Sequence, residues 1–401
     1  MTVRGGRFTS LALIGWGLAL LGPLVGMGSA VAAPTPGVPW TWGTNDYGQL
    51  GNGKTSTSPT GVAAVKGPSG TGQLGNIVDM DGGREHVVAL TSAGTVYTWG
   101  SDLQGQLGDN ATKANKSLPV KVTVPCSSGT VKAVEAGHNS TVALCSNGTV
   151  WDWGYNSNGQ LGDGTVTTRA TPVQARGVTD AVAIAAGRDM TYAIRANGTL
   201  LAWGDNAYGE LGDGTTTDRH TAVAVKTLTG VVGVAGGRNH GVALRSDGTV
   251  WTFGHNAYGQ LGDGTLINRT TPVQVKTATT KLTGVTEVDA GAHHSYARRT
   301  GGSVVSWGRN YRDELGDGTT TNRSHAVAVT GVSGAVSIGS GRDSGVAVVG
   351  DGTVRAWGHN AYGQLGDGTT TSRTRAVVVR GVTGALRAGG GGSGYLSVIV
   401  G

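Results

Sequence analysis

Between Val231 and Val275 short apolar runs alternate with turn residues. Val231–Ala235, His240–Leu244 and Val250–Phe253 each have the length and composition of a strand. Gly236-Gly237-Arg238-Asn239 separates the first two, and Ser246-Asp-Gly-Thr249 separates the next two. Asp-Gly at the centre of so short a link is a strong hairpin signal, because both central residues of the favoured turn need positive φ. A polar loop from His255 runs through Leu261-Gly-Asp-Gly to a fourth strand, Thr271–Val275. Its proline sits near the strand start, where a missing N–H does little harm. The pattern predicts a four-stranded antiparallel meander.

The same unit is written along most of the chain. A Trp-Gly step followed by a Gly-x-Leu-Gly run recurs from Trp42, Trp99, Trp153, Trp203, Phe253, Trp307 and Trp357, at intervals of 57, 54, 50, 50, 54 and 50 residues. The tight turn recurs as Asn147-Gly148, Asn197-Gly198 and Asp351-Gly352. The first turn recurs as a Gly followed three residues later by His86, Ser140, Met190, His240, His294, Ser344 and Gly394. One meander hides only one layer of apolar surface, so seven copies must pack on one another. The expected fold is all-β, a seven-bladed propeller of four-stranded blades. The two motifs are out of phase at the ends. Val38–Trp42 has no hairpin before it, and Ala388–Gly401 has no Trp-Gly strand after it. Pairing of these terminal strands is expected to complete one blade and remove the open edges.

The Gly-x-x-His-x-x-Ala-Leu hairpin followed by Trp-Gly-x-Asn-x-x-Gly-Gln-Leu-Gly resembles the regulator of chromosome condensation repeat. The resemblance covers roughly residues 38–401 and implies the seven-bladed propeller. It does not fix an activity, because the family includes exchange factors, ubiquitin-ligase adaptors, secreted β-lactamase inhibitors and exported bacterial proteins.

Composition adds a compartment. Arg4 and Arg7, the apolar stretch Leu11–Val25 and Ala30-Val31-Ala32 read as a secretory signal over residues 1–32, with a cut after Ala32. Residues 33–37 form a short Pro-containing segment and 38–401 the propeller. An uncleaved anchor is the alternative for 1–32. No later stretch is apolar enough to span a bilayer as a helix. Removal of the leader takes the formal charge from +6 to about +4, and the basic residues are scattered rather than gathered. That argues against a nucleic-acid footprint. In an exported chain Cys126 and Cys145 are expected to form a disulfide. Gly is 73 of 401 residues, much of it at fixed repeat positions, which marks turns rather than a flexible linker.

In a meander alternate turns share a face. The Gly-x-x-His turns and the Trp-Gly loops therefore lie together, with the Asp-Gly hairpins opposite. On the first face the frame is constant and the residues between vary, as on a scaffold that displays loops. The candidate binding residues there are Arg84 and Glu85, His138 and Asn139, Arg188 and Asp189, Arg238 and Asn239, His293, and Arg342 and Asp343, with Tyr155, Asp205, His255, Arg309 and His359 from the positions after Trp-Gly. They are polar, and only Tyr155 is aromatic.

No metal, cofactor or catalytic constellation is expected. His86, His240 and His294 share their slot with Ser and Met, so the slot is structural. Asp109, Asp163, Asp213, Asp263, Asp317 and Asp367 lack the alternating oxygens of a calcium loop and read as caps of their own turns. The expected function is non-catalytic binding outside the cell, by a monomer, of a protein or a cell-envelope polysaccharide. The alternatives are an inhibitor of a secreted enzyme such as a β-lactamase and an enzyme using the central channel. Exchange-factor activity ranks last, because export separates the chain from a cytosolic GTPase and no blade carries a long insertion.

Overall fold

The structure, a computed structural model, describes residues 37–401 except 112 and 391–393. The expected leader, most of the 33–37 segment and the turn pair Gly392-Ser393 lie outside the described residues. Seven four-stranded antiparallel sheets form the blades of a propeller. In the Phe253 blade the strands are Val231–Gly236, His240–Arg245, Val250–Gly254 and Arg269–Gln274, from the axis outwards. They follow the meander read from the pattern, with the fourth strand starting two residues earlier.

Closure is by two strands from each end. Pro39–Asn45 pairs with Leu396–Val400, and the sheet runs Ser56–Ala64, Pro39–Asn45, Leu396–Val400, Arg387–Ala388. No strand edge is left between first and last blade, which is how such rings avoid edge-to-edge aggregation.

The six anchor Trp residues and Phe253 are fully buried between blades. Most also clasp the preceding blade by a hydrogen bond. Trp99 Nε1 donates to the Gln49 carbonyl at 2.9 Å, Trp153 to Gln106 at 2.9 Å, Trp307 to Gln260 at 2.9 Å, and Trp42 to Gln364 at 2.7 Å. Phe253 has no N–H to give. The corresponding carbonyl, Glu210, is instead satisfied by the Tyr192 hydroxyl at 2.8 Å. Tyr192 meets Phe253 edge-on, with ring centroids 6.0 Å apart. Gly241 makes the room: a Cβ there would lie 3.0 Å from the Tyr192 hydroxyl oxygen and 2.6 Å from the Phe253 ring. Cys126 and Cys145 are disulfide-bonded, tying the connection before Val131 to the end of the strand Ser140–Cys145.

Candidate functional site

Five of the seven Trp-Gly loops are held by a charged bracket. In the Phe253 blade Asn256 accepts from Leu261 N at 2.9 Å and donates to Asp263 at 3.2 Å. Asp263 Oδ1 caps its own turn at Thr265 N, 2.9 Å away, and Oδ2 takes Arg269 Nε at 3.0 Å. The bracket recurs with Asp163–Arg169, Asp213–Arg219, Asp317–Arg323 and Asp367–Arg373. Burial raises the Asp263 pKa, but the Thr265 hydrogen bonds and Arg269 outweigh it, and the net shift is downwards. The repeated Asp residues are therefore turn caps, as their spacing indicates, and all but Asp109 also hold an arginine six residues on.

The two sets of variable positions are joined blade by blade. The residue after Trp-Gly donates its N–H to the carbonyl of the second turn residue: Tyr155 to Asn139 at 2.9 Å, Asp205 to Asp189 at 2.8 Å, His255 to Asn239 at 2.8 Å, Arg309 to His293 at 2.9 Å, and His359 to Asp343 at 2.9 Å. The glycine of each Trp-Gly step permits this. Gly254 has φ +105°, and a Cβ there would sit 2.6 Å from the Asn239 carbonyl oxygen. The turns also bond to one another around the axis. Arg84 N donates to His138 O at 3.0 Å, His138 N to Arg188 O at 3.2 Å, Arg188 N to Gly237 O at 3.1 Å, and Arg238 N to Ala292 O at 3.2 Å. Ala292 N continues the ring to Arg342 O at 3.1 Å. A run of peptide hydrogen bonds from turn to turn thus fixes the axial ends of the candidate residues.

Side chains then divide into pairs and singles. Arg84 meets Glu85 at 3.3 Å and Arg188 meets Asp189 at 3.1 Å, each within its own turn. Asn239 donates to Glu210 at 3.0 Å. Arg309 binds Glu314 at 2.8 Å and also Asp343, which Arg312 reaches at 3.1 Å. His255 and His359 share hydrogen bonds with Gln260 and Gln364, at 2.8 and 2.9 Å. Among the described residues, Arg238 and Arg342 make no ion pair; Arg342 lies over the Tyr395 ring at 5.0 Å.

The face is more aromatic than its variable positions indicate. Tyr208 meets His255 at 4.7 Å between centroids, Tyr258 meets His293 at 5.2 Å, and Tyr258 meets Tyr311 at 5.7 Å. Farther round, Tyr362 and Tyr395 lie 4.9 Å apart. Tyr208, Tyr258 and Tyr362 belong to the Asn-Ala-Tyr-Gly part of the cassette, which reads as constant frame, so Tyr155 is one of several aromatics here and not an exception. Exposed apolar groups concentrate on the same side. Leu103, Val166, Tyr208, Leu266, Ile267, Tyr311 and Tyr362 all lie in the Trp-Gly loops, and Leu266 and Ile267 are each 61% exposed.

Below the turns the channel wall is acidic. Asp79 accepts from Val134 N at 3.1 Å and Asp81 from Ala136 N at 2.8 Å, across a blade boundary. Glu287 does the same for Ile338 N at 3.3 Å. The innermost strands have no neighbour on the axial side, and these carboxylates satisfy N–H groups their edges leave open. Burial pushes Asp81 up to about 7. Burial also raises Glu135, and after it the nearby Asp81, Asp79 and Asp289. His86 and His240 are buried and bonded through Nε2 to Thr141 at 3.0 Å and Ser295 at 2.9 Å. Among the described residues, no three His, Cys, Asp or Glu side chains group as a metal site, and no helix is long and apolar enough to cross a membrane.

Comparison with known proteins agrees with this geometry. The model of the RCC1-like domain matches residues 25–396. The chain is 34% identical over 137 residues to the X-linked retinitis pigmentosa GTPase regulator of Canis lupus familiaris, a match covering 34% of this chain and 13% of that protein. It is 36% identical over 133 residues to the human E3 ubiquitin-protein ligase HERC2, covering 33% of this chain and 3% of that one. It is 30% identical over 174 residues to the ultraviolet-B receptor UVR8 of Arabidopsis thaliana, covering 43% and 35%. The matched segments are thus a minor part of each relative's length. Among solved structures, Prp20p from Saccharomyces cerevisiae superposes with a TM-score of 0.78 at 23% identity, over 93% of this chain and 92% of that one. Human WBSCR16 gives 0.79 at 18% identity, over 91% and 98%. With the repeat, the blade count and the match in agreement, the chain belongs to the RCC1-like domain family, a family of binding and regulatory scaffolds.

Proposed function

We propose that this protein is an exported, non-catalytic scaffold that docks a protein on the face carrying the Gly-x-x-His turns and Trp-Gly loops. One observation carries the reading. Among the described residues, seven of the ten exposed large apolar side chains lie in the loops of that face. A concentration of exposed apolar groups rimmed by polar ones marks an interaction site. Leu266, Ile267 and Val166 offer a glycan little, whereas Tyr and Arg beside them are the side chains that dominate protein interfaces. The aromatic groups also lend support to the inhibitor alternative, which is one case of the same docking. Yeast Prp20p, which shares the fold, is described as binding Gsp1p and histones.

Export is supported by the basic start, apolar stretch and Ala30-Val31-Ala32 of the leader, and the disulfide fits an oxidising compartment. The channel-enzyme alternative is weakened because Asp81 and Glu287 there are buried and accept from backbone N–H groups.

The test is capture from a secreted-protein pool on the immobilised domain from Ala33 onward. Parallel columns carry Tyr258→Ala with Ile267→Ser, and Arg245→Ala on the opposite hairpin face. A protein held by the native domain and the hairpin variant but lost from the loop variant is the expected result. Loss from the hairpin variant alone would overturn the assignment of the face.

A further inference from the structure

We propose that the ring of arginines at the channel mouth receives the carboxylates of an acidic loop on the docked protein. The inference rests on the face assigned above and names what its centre recognises.

Arg84, Arg188, Arg238 and Arg342 leave the hydrogen-bonded run of turns at fixed points, and all four stand close enough to His138 to act on its charge. The two histidines among them, His138 and His293, feel positive charge. Burial, followed by Arg84, Arg188, Arg238 and Arg342, lowers His138 to about 3. Burial, then Arg309, Arg238, His240 and His255, lowers His293 to about 2. Arg238 itself is lowered by burial and then by Arg188, Arg342 and Arg309, with Asp189 opposing. Both histidines are thus uncharged at neutral pH and add no cation, while the arginines repel one another.

Three carboxylates of the face already hold arginines. Glu85 and Asp189 hold Arg84 and Arg188, and Asp343 holds Arg309 and Arg312. Arg238 and Arg342 have no carboxylate of their own among the described residues. A planar guanidinium with open donors matches a carboxylate in a two-point, charge-assisted pair. The half-buried setting makes such a pair stronger than one in open water. The exposed Leu266, Ile267 and Tyr311 lie in Trp-Gly loops of the same face. An acidic tip set in an apolar rim is the complement of an arginine centre set in apolar loops, which favours a protein loop over a free anion.

The test uses fluorescein-labelled hexaglutamate and hexaglutamine, followed by anisotropy with the whole mature protein at low salt. Hexaglutamate is expected to bind and hexaglutamine not to. Arg238→Gln and Arg342→Gln should each weaken hexaglutamate at least tenfold, with circular dichroism showing the fold retained. Arg238→Lys keeps the charge without the fork and should fall between. Arg245→Gln, on the hairpin face, should bind as the native protein does. The proposal is overturned if hexaglutamate does not bind, if Arg238→Gln and Arg342→Gln bind it unchanged, or if Arg245→Gln loses as much. Displacement by inorganic phosphate at matched charge would also overturn it, by showing a generic anion site. Any of these results leaves the protein-docking reading of the face standing, because capture by the loops is measured independently.

Discussion

Asp152 occupies a slot that four other blades fill with a hydroxyl and two with Ala. Two residues N-terminal to the Trp-Gly glycine, Thr41, Thr98, Thr252 and Ser306 donate to the carbonyls of Leu50, Leu107, Leu261 and Leu315 at 2.6 to 2.8 Å. Asp152 is fully buried there, and neither of its oxygens has a hydrogen-bond partner. Burial, with Asp163 adding to it, holds its pKa well above the ordinary 3.8. The folded protein therefore keeps the acid neutral at pH values where the unfolded chain ionises it. The sign follows from linkage. Stability is fully present below the unfolded pKa and is lost as pH rises towards the folded one, by about 1.4 kcal/mol per pH unit. Asp152→Thr removes the proton uptake and supplies the missing hydroxyl. Urea unfolding of both proteins at a series of pH values rising from about 4 should show the variant's advantage widening at that rate until the folded acid ionises. Asp81, Glu135 and Asp289 are also raised, but they titrate alike in both proteins and cancel in the difference. A difference that stays constant with pH would refute the reasoning, since a simple packing gain has no proton linkage.

Four further outcomes rest on single contacts. Tyr192→Phe leaves the buried Glu210 carbonyl without a donor, because Phe253 has none, and should cost about 1–3 kcal/mol in urea unfolding. Tyr296→Phe should cost less, because Trp357 Nε1 still reaches the Glu314 carbonyl at 3.1 Å. Reduction of the Cys126–Cys145 bond, which closes a separation of 19 residues, should cost about 3 kcal/mol, seen as a lower urea midpoint in the presence of reductant. At the acid end, Asp263 has a lowered folded pKa, so its contribution is present above the unfolded value and is lost as pH falls through the folded one. Asp263→Asn should therefore flatten the acid limb of the stability profile, checked by thermal unfolding across that range.

The sequence carries the fold openly because the repeat writes the blade seven times. Trp-Gly steps, Asp-Gly hairpins and the phase offset at the ends are local signals, and the closing strands Pro39–Asn45 and Leu396–Val400 pair as the offset implies. The candidate residues were legible as places, since both variable sets are fixed by the periodic frame. Their surroundings were not. Tyr208, Tyr258 and Tyr362 sit in a stretch so regular that it reads as scaffold, yet the turn geometry delivers their rings to the surface of the face. The Asp263–Arg269 bracket spans the end of a loop and the start of a strand, and only the folded loop brings the two together. Asp81 and Glu135 come from neighbouring blades, and their coupling depends on the curvature of the ring, which no local pattern encodes.

The central claim is that the turns and Trp-Gly loops form the docking face. The most direct measurement is amide hydrogen exchange of the mature protein with and without its captured partner. The account predicts slowed exchange at 237–239 and 255–268 and their counterparts in neighbouring blades, with the hairpin turns at 246–249 unchanged. Protection confined to the hairpin turns, with the Trp-Gly loops exchanging freely in the complex, would contradict it.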